Sequence, residues 1–475
     1  MQAAIMATLD TIIIGAGWSG AVAARQLAQS GYKVLVLEAR ERIGGRARTH
    51  TEGTHVPVDL GCSFIHGYKE GNPTKVIAKE LGVYIQGVDV TKPTESAIYG
   101  ANGLLDASAA NDLRDRLGRA HATARNTALN STSLLPSSTT PLSAAFFDPD
   151  SALSTSSTPS TATAFARTLE VPFGAVLEQV SLRWTGWEDN FAGSDAAPHG
   201  GFQPLVERVL AAATHIGNTR VQLGETVLRI QEEQSGVNVS TDKGVYRAAT
   251  VICTIPLGVL KRNAAHLFEP KLPVRRMETI QGTHVGILEK LVLTYSDAWW
   301  PKAGTVGSFT FLPSRTGGGE PKTADDVLAS ATLVVASFAG PSLPRQHPTL
   351  LFYLSPTPAL GLAKFPLEEV TDAAHAFLTA RFQPGTQPAK PTNSVMTDWH
   401  KDPLALGATT TPSIVGEGRG PLDFAELAKP LWGGRLGFAG EHADMNHRGS
   451  VAGAVISGMR EAERVNLLLT KLAEV

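Results

Sequence analysis

Thr11-Ile12-Ile13-Ile14-Gly15-Ala16-Gly17-Trp18-Ser19-Gly20 is the stretch that decides the fold. An apolar strand, Thr11–Ile14, runs directly into a glycine turn. Gly15, Gly17 and Gly20 stand at spacings that allow a tight turn, close backbone approach to a pyrophosphate, and close packing of helix on strand. Ala21–Ser30 has helical composition, and Gly31 ends it. The start of such a helix presents free N–H groups and a positive dipole end to phosphates, with Ser19 in its first turn. Lys33–Leu37 is a second apolar strand. Glu38 closes it, 18 residues after Gly20, where a carboxylate can accept from ribose hydroxyls. Strand, turn, helix and strand make a βαβ unit. A plain glycine turn in an unrelated α/β protein is the competing reading, and the acid at the second strand's end speaks against it.

Moving outward, Ala39 and Arg40 follow the acid, and Gly44-Gly45-Arg46 comes next. A nicotinamide-binding unit has no need of this extension. Gly45 lets the backbone approach a cofactor again, and Arg46 can pair with phosphate through its fork. For Arg42 a solvated basic turn is the simpler reading. Strand patterns recur at Thr226–Ile230, Val237–Thr241, Val245–Arg247, Val251–Ile255 and Arg435–Ala439, and a helical run covers Val451–Val465. Asp106–Ala128 is weakly helical. Residues 131–163 are rich in Ser and Thr and hold Pro136, Pro141, Pro149 and Pro159, which predicts a loop insertion. Arg315–Asp326, with three successive glycines, reads as a second loop.

The chain has 475 residues, too many for one hydrophobic core. With 43% hydrophobic and 18% charged residues it is an ordinary globular composition. A net charge of −2 supplies no field for nucleic acid or an anionic membrane. Two cysteines, Cys62 and Cys253, exclude a disulfide framework, and no metal site is expected. The N-terminus shows no basic segment followed by an apolar one, and Ile12–Ile14 is far too short to span a bilayer. A cytoplasmic location is the resulting expectation.

Taken together, these segments resemble the flavin-containing amine oxidase superfamily, which includes polyamine oxidases, monoamine oxidases and lysine-specific histone demethylases. The motifs are most similar to those of polyamine oxidases. Asp59-Leu60-Gly61-Cys62-Ser63-Phe64-Ile65-His66-Gly67 resembles the segment that runs beside the flavin ring. Glu225-Thr226-Val227 and Ile255-Pro256-Leu257-Gly258-Val259-Leu260 resemble a second FAD-contacting section. Glu289-Lys290-Leu291-Val292-Leu293, with Trp299-Trp300-Pro301 behind it, resembles the active-site lysine strand. Phe438-Ala439-Gly440-Glu441-His442 and Gly449-Ser450-Val451-Ala452-Gly453-Ala454 resemble the C-terminal FAD motif. The likeness covers nearly the whole chain outside residues 131–163.

The resemblance implies FAD bound without a covalent link. It implies hydride transfer from an amine C–H to flavin N5, imine formation, and reoxidation by O2 to give H2O2. Gly61, Ser63, Val227 and Gly440 are carried over as cofactor contacts, with Glu441 bonding a ribityl hydroxyl. Ser450 and Val451 open the last helix, where a free N–H can meet the flavin pyrimidine oxygen. For Glu441 a helix cap, and for Val451 a plain core residue, stay open. Lys290 is implied to hold a water against N5; a strand-edge lysine snorkelling to solvent is the alternative. His66 is either a contact on the amine path or a satisfied polar residue in a turn. Trp184–Asn190 either lines the substrate tunnel or covers the surface.

The fold implied is α/β, with a Rossmann-type FAD domain over residues 8–90, 200–285 and 395–475. An α+β substrate domain would hold residues 91–199 and 286–394. Two departures matter. The family's aromatic pair before the flavin is missing, since Ser450 and Thr409-Thr410-Thr411 stand at those positions. Trp184 or Trp187 would have to refill it. An open pocket is expected, taking a bulky or secondary amine or a polyamine-like one, with His66 and the Glu188/Asp189 region as polar contacts. An amino-acid oxidase, a biosynthetic desaturase and an inactive flavin-binding scaffold remain the rival readings. The partners expected are a small amine and O2, with neither nucleic acid nor membrane. The oligomeric state is not legible.

Overall fold

The computed structural model describes residues 9–54, 56–87, 95–130, 135–188, 191–302, 305–315, 319–340, 346–383, 385–411, 414–416 and 418–474. The opening unit forms as expected. Leu9–Ile14 lies parallel to Val34–Leu37, with Ile12 opposite Leu35. On its other side it pairs in parallel with Val245–Cys253, with Ile12 opposite Val251. All four residues of Val34–Leu37 are buried, as a parallel strand covered on both faces requires. Thr219–Gln222 extends this sheet on one side, and Gly236–Thr241, Val227–Glu233 and Phe268–Glu269 extend it on the other. Leu436–Phe438 pairs with Val245–Cys253. The expected strands Val245–Arg247 and Val251–Ile255 are thus one strand.

The helix Trp18–Gln29 packs between the C-terminal helix Val451–Ala473 and Phe202–His215. Its alanines make this possible, because small side chains let backbones approach. Gly458 is the closest point, where a Cβ would lie 2.5 Å from the Ser19 carbonyl oxygen.

A second sheet follows the order Asn393–Met396, Glu289–Thr294, Thr349–Leu354, Leu333–Ser337, Val306–Phe311, Glu95–Gly100 and Gly103–Leu104. Every residue of Glu289–Thr294 is buried. An aromatic core including Trp299, Trp300, Phe309, Phe311 and Phe382 packs this sheet against the helix Leu367–Phe382. His284–Gly286 and Thr409–Thr411 form a separate two-stranded ladder.

The Ser/Thr-rich insertion is irregular over most of its described length, as its composition suggested, but it is docked and not a free surface loop. It holds the helix Leu142–Phe146 and the start of Pro159–Ala166, and it packs against Ala107–Asn130. Leu142, Phe146, Leu153 and Ala162 are fully buried. These few apolar residues anchor the segment, while hydroxyls close local turns; Ser151 Oγ, for example, donates to the Phe146 carbonyl at 2.5 Å. Residues 131–134 of the insertion lie outside the described residues. The second predicted loop ends in a capping box, in which Thr323 and Asp326 start the helix Ala324–Ser330. Its residues 316–318 are likewise outside the description. Among the described residues, no helix is long and apolar enough to cross a membrane.

The glycine turn gives the first expected outcome. A Cβ at Gly20 would lie 2.0 Å from the Gly15 carbonyl oxygen. Backbone must shift to admit it, so Gly20→Ala should lower stability by about 1–3 kcal/mol. Denaturant unfolding with the parent's midpoint would show that helix and strand are less tightly packed than this.

Candidate active site

Both sheets contribute to one cavity of about 1440 Å³. Gly15, Gly17, Glu38 and Val227 line it from the first sheet; Lys290, Thr310 and Tyr353 line it from the second. The volume exceeds the roughly 300–1000 Å³ of a site for one drug-sized ligand. It suits a long cofactor with a substrate beside it.

The nucleotide end is built on the glycine turn. Gly15 has φ +105° and no room for a side chain, since a Cβ would meet Thr254 Oγ1 at 2.4 Å. At Gly17 the surroundings are open, with only the Gly44 carbonyl within 4 Å, at 3.9 Å. Packing alone does not demand a glycine there, whereas close approach of a ligand does. No side chain caps the helix that follows, so its first N–H groups stay available. Glu38 Oε2 accepts from Ala16 N at 2.8 Å, and Oε1 accepts from Arg40 N at 2.9 Å. A carboxylate has about four acceptor positions, so this buried group can hold the turn and still take hydroxyls.

Other predicted contacts have protein partners of their own. The Ser19 hydroxyl donates to the Ala454 carbonyl at 2.7 Å and ties the first helix to the last. Gly20 serves packing and does not line the cavity. Ala39 and Arg40 do line it, with Arg40 in an ion pair with Asp402 at 2.9 Å. Arg42 differs from the solvated-turn reading. Its Nη2 donates to the Gly45 carbonyl at 2.8 Å, and burial is the main force lowering its pKa to about 10. Arg42 staples the Gly44-Gly45 turn from inside. Arg46 stands 2.9 Å from Glu441 and donates to the Ala408 carbonyl at 3.1 Å.

Glu441 is nearly buried. Its Oε2 accepts from Thr410 Oγ1 at 2.6 Å and Gly449 N at 3.0 Å. Its buried Oε1 forms an ion pair with Arg46 at 2.9 Å and retains acceptor capacity. Burial pushes this carboxyl up, yet Arg46, His442 and the Thr410 hydroxyl outweigh it and hold it below the usual range. Gly440, with φ +143°, leads into it. Ser450 is the cap of Val451–Ala473: it accepts from Gly453 N at 3.1 Å and donates to the His447 carbonyl at 2.6 Å. Val451 sits at the cavity wall.

Lys290 is flanked by Thr349–Leu354 and Asn393–Met396, and it is 4% exposed. A snorkelling edge residue is thereby excluded. Its ammonium donates to the Asp59 carbonyl at 2.9 Å, the Gly61 carbonyl at 2.5 Å and Ser63 Oγ at 2.6 Å. All three of its protons are used. Burial lowers its pKa to about 8, against the pull of Asp59. Burial likewise raises the Asp59 carboxyl to about 6. Gly61 locks this cradle to the cofactor loop, since a Cβ there would lie 1.6 Å from the Arg46 carbonyl oxygen. Cys62 lies in the same wall, and burial pushes its thiol up to about 12, which keeps it un-ionised and a poor nucleophile.

His66 lies at the cavity rim, with its side chain 68% exposed and Nδ1 2.9 Å from Asp195. The hydrogen bond to Asp195 raises its pKa. Glu188 pairs with Arg448 at 2.5 Å; Asp189 and Asn190 lie outside the described residues. Trp184 bonds the Arg419 carbonyl, and Trp187 packs on the first sheet's core. Neither lines the cavity. One aromatic pair that does is Phe191 stacked on His447, with centroids 4.7 Å apart. Thr409 reaches the wall, while Thr410 and Thr411 are buried in their ladder.

Sequence reasoning missed Glu289. It is fully buried, and its carboxylate accepts from Thr397 Oγ1 at 2.5 Å, Trp399 N at 3.0 Å, His400 N at 3.0 Å and His400 Nδ1 at 2.9 Å. Trp399 Nε1 in turn donates to the Leu60 carbonyl at 3.2 Å. Leu60 lies between the two carbonyls that hold Lys290, so Glu289 positions that cradle. A glutamate inside an apolar strand was the available signal, since such a group needs partners. Tyr353, directly opposite Lys290, and Arg448 were also missed.

With this geometry in place, the comparisons define the class. Residues 18–466 match the family of flavin containing amine oxidoreductases, and the chain belongs to it. FAD is its cofactor, and the remaining acceptor capacity of Glu441 and the bare backbone at Gly17 fit that group. Over 96% of its length the chain is 28% identical to lysine-specific histone demethylase 1 homolog 3 of Oryza sativa subsp. indica. That match spans 54% of the relative, so the chain covers about half of such proteins. It is 27% identical to polyamine oxidase 4 of Oryza sativa subsp. japonica, over 97% of this chain and 90% of that one. Cyclohexylamine oxidase from Brevibacterium oxydans IH-35A shares the fold, with a TM-score of 0.75 at 22% identity, covering 98% of this chain and 100% of that one.

Two outcomes follow for the lysine wall. The folded pKa of Lys290 is about 8, below the roughly 10.4 of an unfolded lysine. Between those values the unfolded chain binds more protons, so this site's contribution to stability rises with pH. The melting temperature of the parent minus that of Lys290→Met should therefore increase from pH 7.5 to pH 10. A flat difference would mean that Lys290 stays charged throughout. Glu289→Gln puts an amide where four donors converge and should cost about 3 kcal/mol. A denaturation midpoint equal to the parent's would remove Glu289 from the support of the cradle.

Proposed function

We propose that the chain is a FAD-dependent amine oxidase acting on a bulky or secondary amine. The observation that carries this is a buried lysine, held by three acceptors, on the wall of the same cavity as the glycine turn. The bound flavin would take a hydride from the carbon beside the amine nitrogen and return the electrons to O2 as H2O2. The chain's part is to bind, orient and manage protons. Glu38, Gly17 and Glu441 would hold the cofactor. Lys290, by releasing one of its three hydrogen bonds, would hold a water at the reacting face. A pKa of about 8 leaves that lysine able to change protonation near neutral pH.

Hydride loss needs a neutral amine. Among the described residues, the two carboxylates of the substrate side are both paired, Glu188 with Arg448 and Asp195 with His66. Neither is left to keep an incoming ammonium charged, which disfavours a polycation, while the small side chains of Ser450 and Thr409 leave room for bulk. The names of polyamine oxidase 4 and cyclohexylamine oxidase support an amine substrate in general. An amino-acid oxidase is less well supported. Arg448 does line the cavity, but its two terminal nitrogens are bonded to Glu188 and the Thr410 carbonyl.

An anaerobic amine panel tests this reading. Bleaching of the flavin spectrum, followed by peroxide release in air, is expected for bulky or secondary amines, with benzylamine a poor substrate. Lys290→Met should keep FAD and slow turnover by about a hundredfold. Unchanged reduction and reoxidation rates would remove Lys290 from the mechanism, and no bleaching by any amine would favour the inactive scaffold.

A further inference from the structure

The second sheet continues the active-site wall well beyond Lys290. Its cross-strand register places Lys290 opposite Tyr353, Tyr353 opposite Val334, and Val334 opposite Thr310. All four line the cavity. Three inter-strand steps separate Lys290 from Thr310, about 14 Å at the usual strand spacing. Two residues back from Thr310, Ser308 faces the same way and also lines the cavity. Its hydroxyl donates to Ser96 Oγ at 3.1 Å, and Ser96 is exposed. The floor therefore runs from a buried lysine to a rim at the protein surface. Phe165 and Leu169, just after the insertion, form its roof. Thr332 Oγ1 donates to the Ala164 carbonyl at 2.7 Å and ties that roof to the strand carrying Val334.

Charge is what this arm lacks. Beyond Lys290, none of the described residues of these strands and this roof that line the cavity is Asp, Glu, Lys or Arg. At the rim, Arg114 donates to the Ser96 carbonyl at 2.6 Å and adds a cation. Thr310 is 7% exposed, and its hydroxyl has no partner among the described residues. The hydroxyl therefore faces the cavity free to bond a ligand, and a second ammonium there would find no counter-charge.

The geometry points to a recognition arm for a neutral tail. It fits an amine whose far end, lying about 14–16 Å from Lys290, carries a hydroxyl, ether or amide for Thr310 and Ser308. This rests on the amine-oxidase reading and narrows it to amines with an uncharged distal hydrogen-bonding group.

The test compares ω-hydroxyalkylamines, n-alkylamines and α,ω-diamines of equal chain length on the FAD-loaded protein. Binding is read by calorimetry without turnover, and kcat/KM is read by flavin bleaching. The hydroxyalkylamine should bind best and the diamine worst. Thr310→Val should reduce the preference for hydroxyl over plain alkyl by about two- to tenfold, the loss of one hydrogen bond. Thr310→Ser should restore it and guards against a folding defect. A diamine that binds as well as the hydroxyalkylamine, a preference unmoved by Thr310→Val, or no binding by any of the three would overturn the arm. If the binding order holds but no amine bleaches the flavin, the arm stands and the oxidase reading falls.

Discussion

The Lys290 ammonium, held by two carbonyls and a hydroxyl of residues 59–63, joins the two halves of the molecule. The lysine belongs to one sheet. Its cradle belongs to a segment pressed against the Gly45-Arg46 turn at the edge of the other. A cation removed from water needs acceptors, and these are supplied from across the gap. The cavity wall is continuous because this bond set is complete. Glu289, on the same strand, fixes the cradle from behind through Trp399 and Leu60. Adjacent residues of opposite charge, on opposite faces of one strand, thus perform two parts of a single positioning task.

A second constraint is charge balance on the substrate side. Among the described residues each carboxylate there carries a partner: Asp195 has His66, and Glu188 has Arg448. Beyond them the wall turns to hydroxyls and apolar groups. The residues at the aromatic positions have structural tasks of their own. Ser450 is occupied as a helix cap, and the three threonines form a ladder whose middle member bonds Glu441. Their small side chains leave the space open, and Phe191 stacked on His447 takes part of the remainder.

The Ser/Thr-rich insertion acquires a role in this arrangement. Its composition is that of a loop, but four buried apolar residues suffice to dock it on a long helix. Once docked, its following turn roofs the arm that leads away from Lys290. A segment that looks dispensable by composition therefore shapes the site.

The sequence by itself determined the βαβ unit, the glycine turn, the acid at the end of the second strand and the family. Each of these is local: backbone conformation at Gly15, apolar runs at Ile12–Ile14 and Val34–Leu37, and motif spacing. Lys290 was legible as a candidate, because a charge in an apolar strand is conspicuous. The three bonds that hold it were not, since their acceptors lie some 230 residues away and two of them are plain carbonyls. The pairing of Glu188 with Arg448, the staple made by Arg42 and the row from Lys290 to Thr310 were also decided only by the tertiary structure. Cross-strand register and long-range pairing depend on which elements meet, and local spacing carries no record of that.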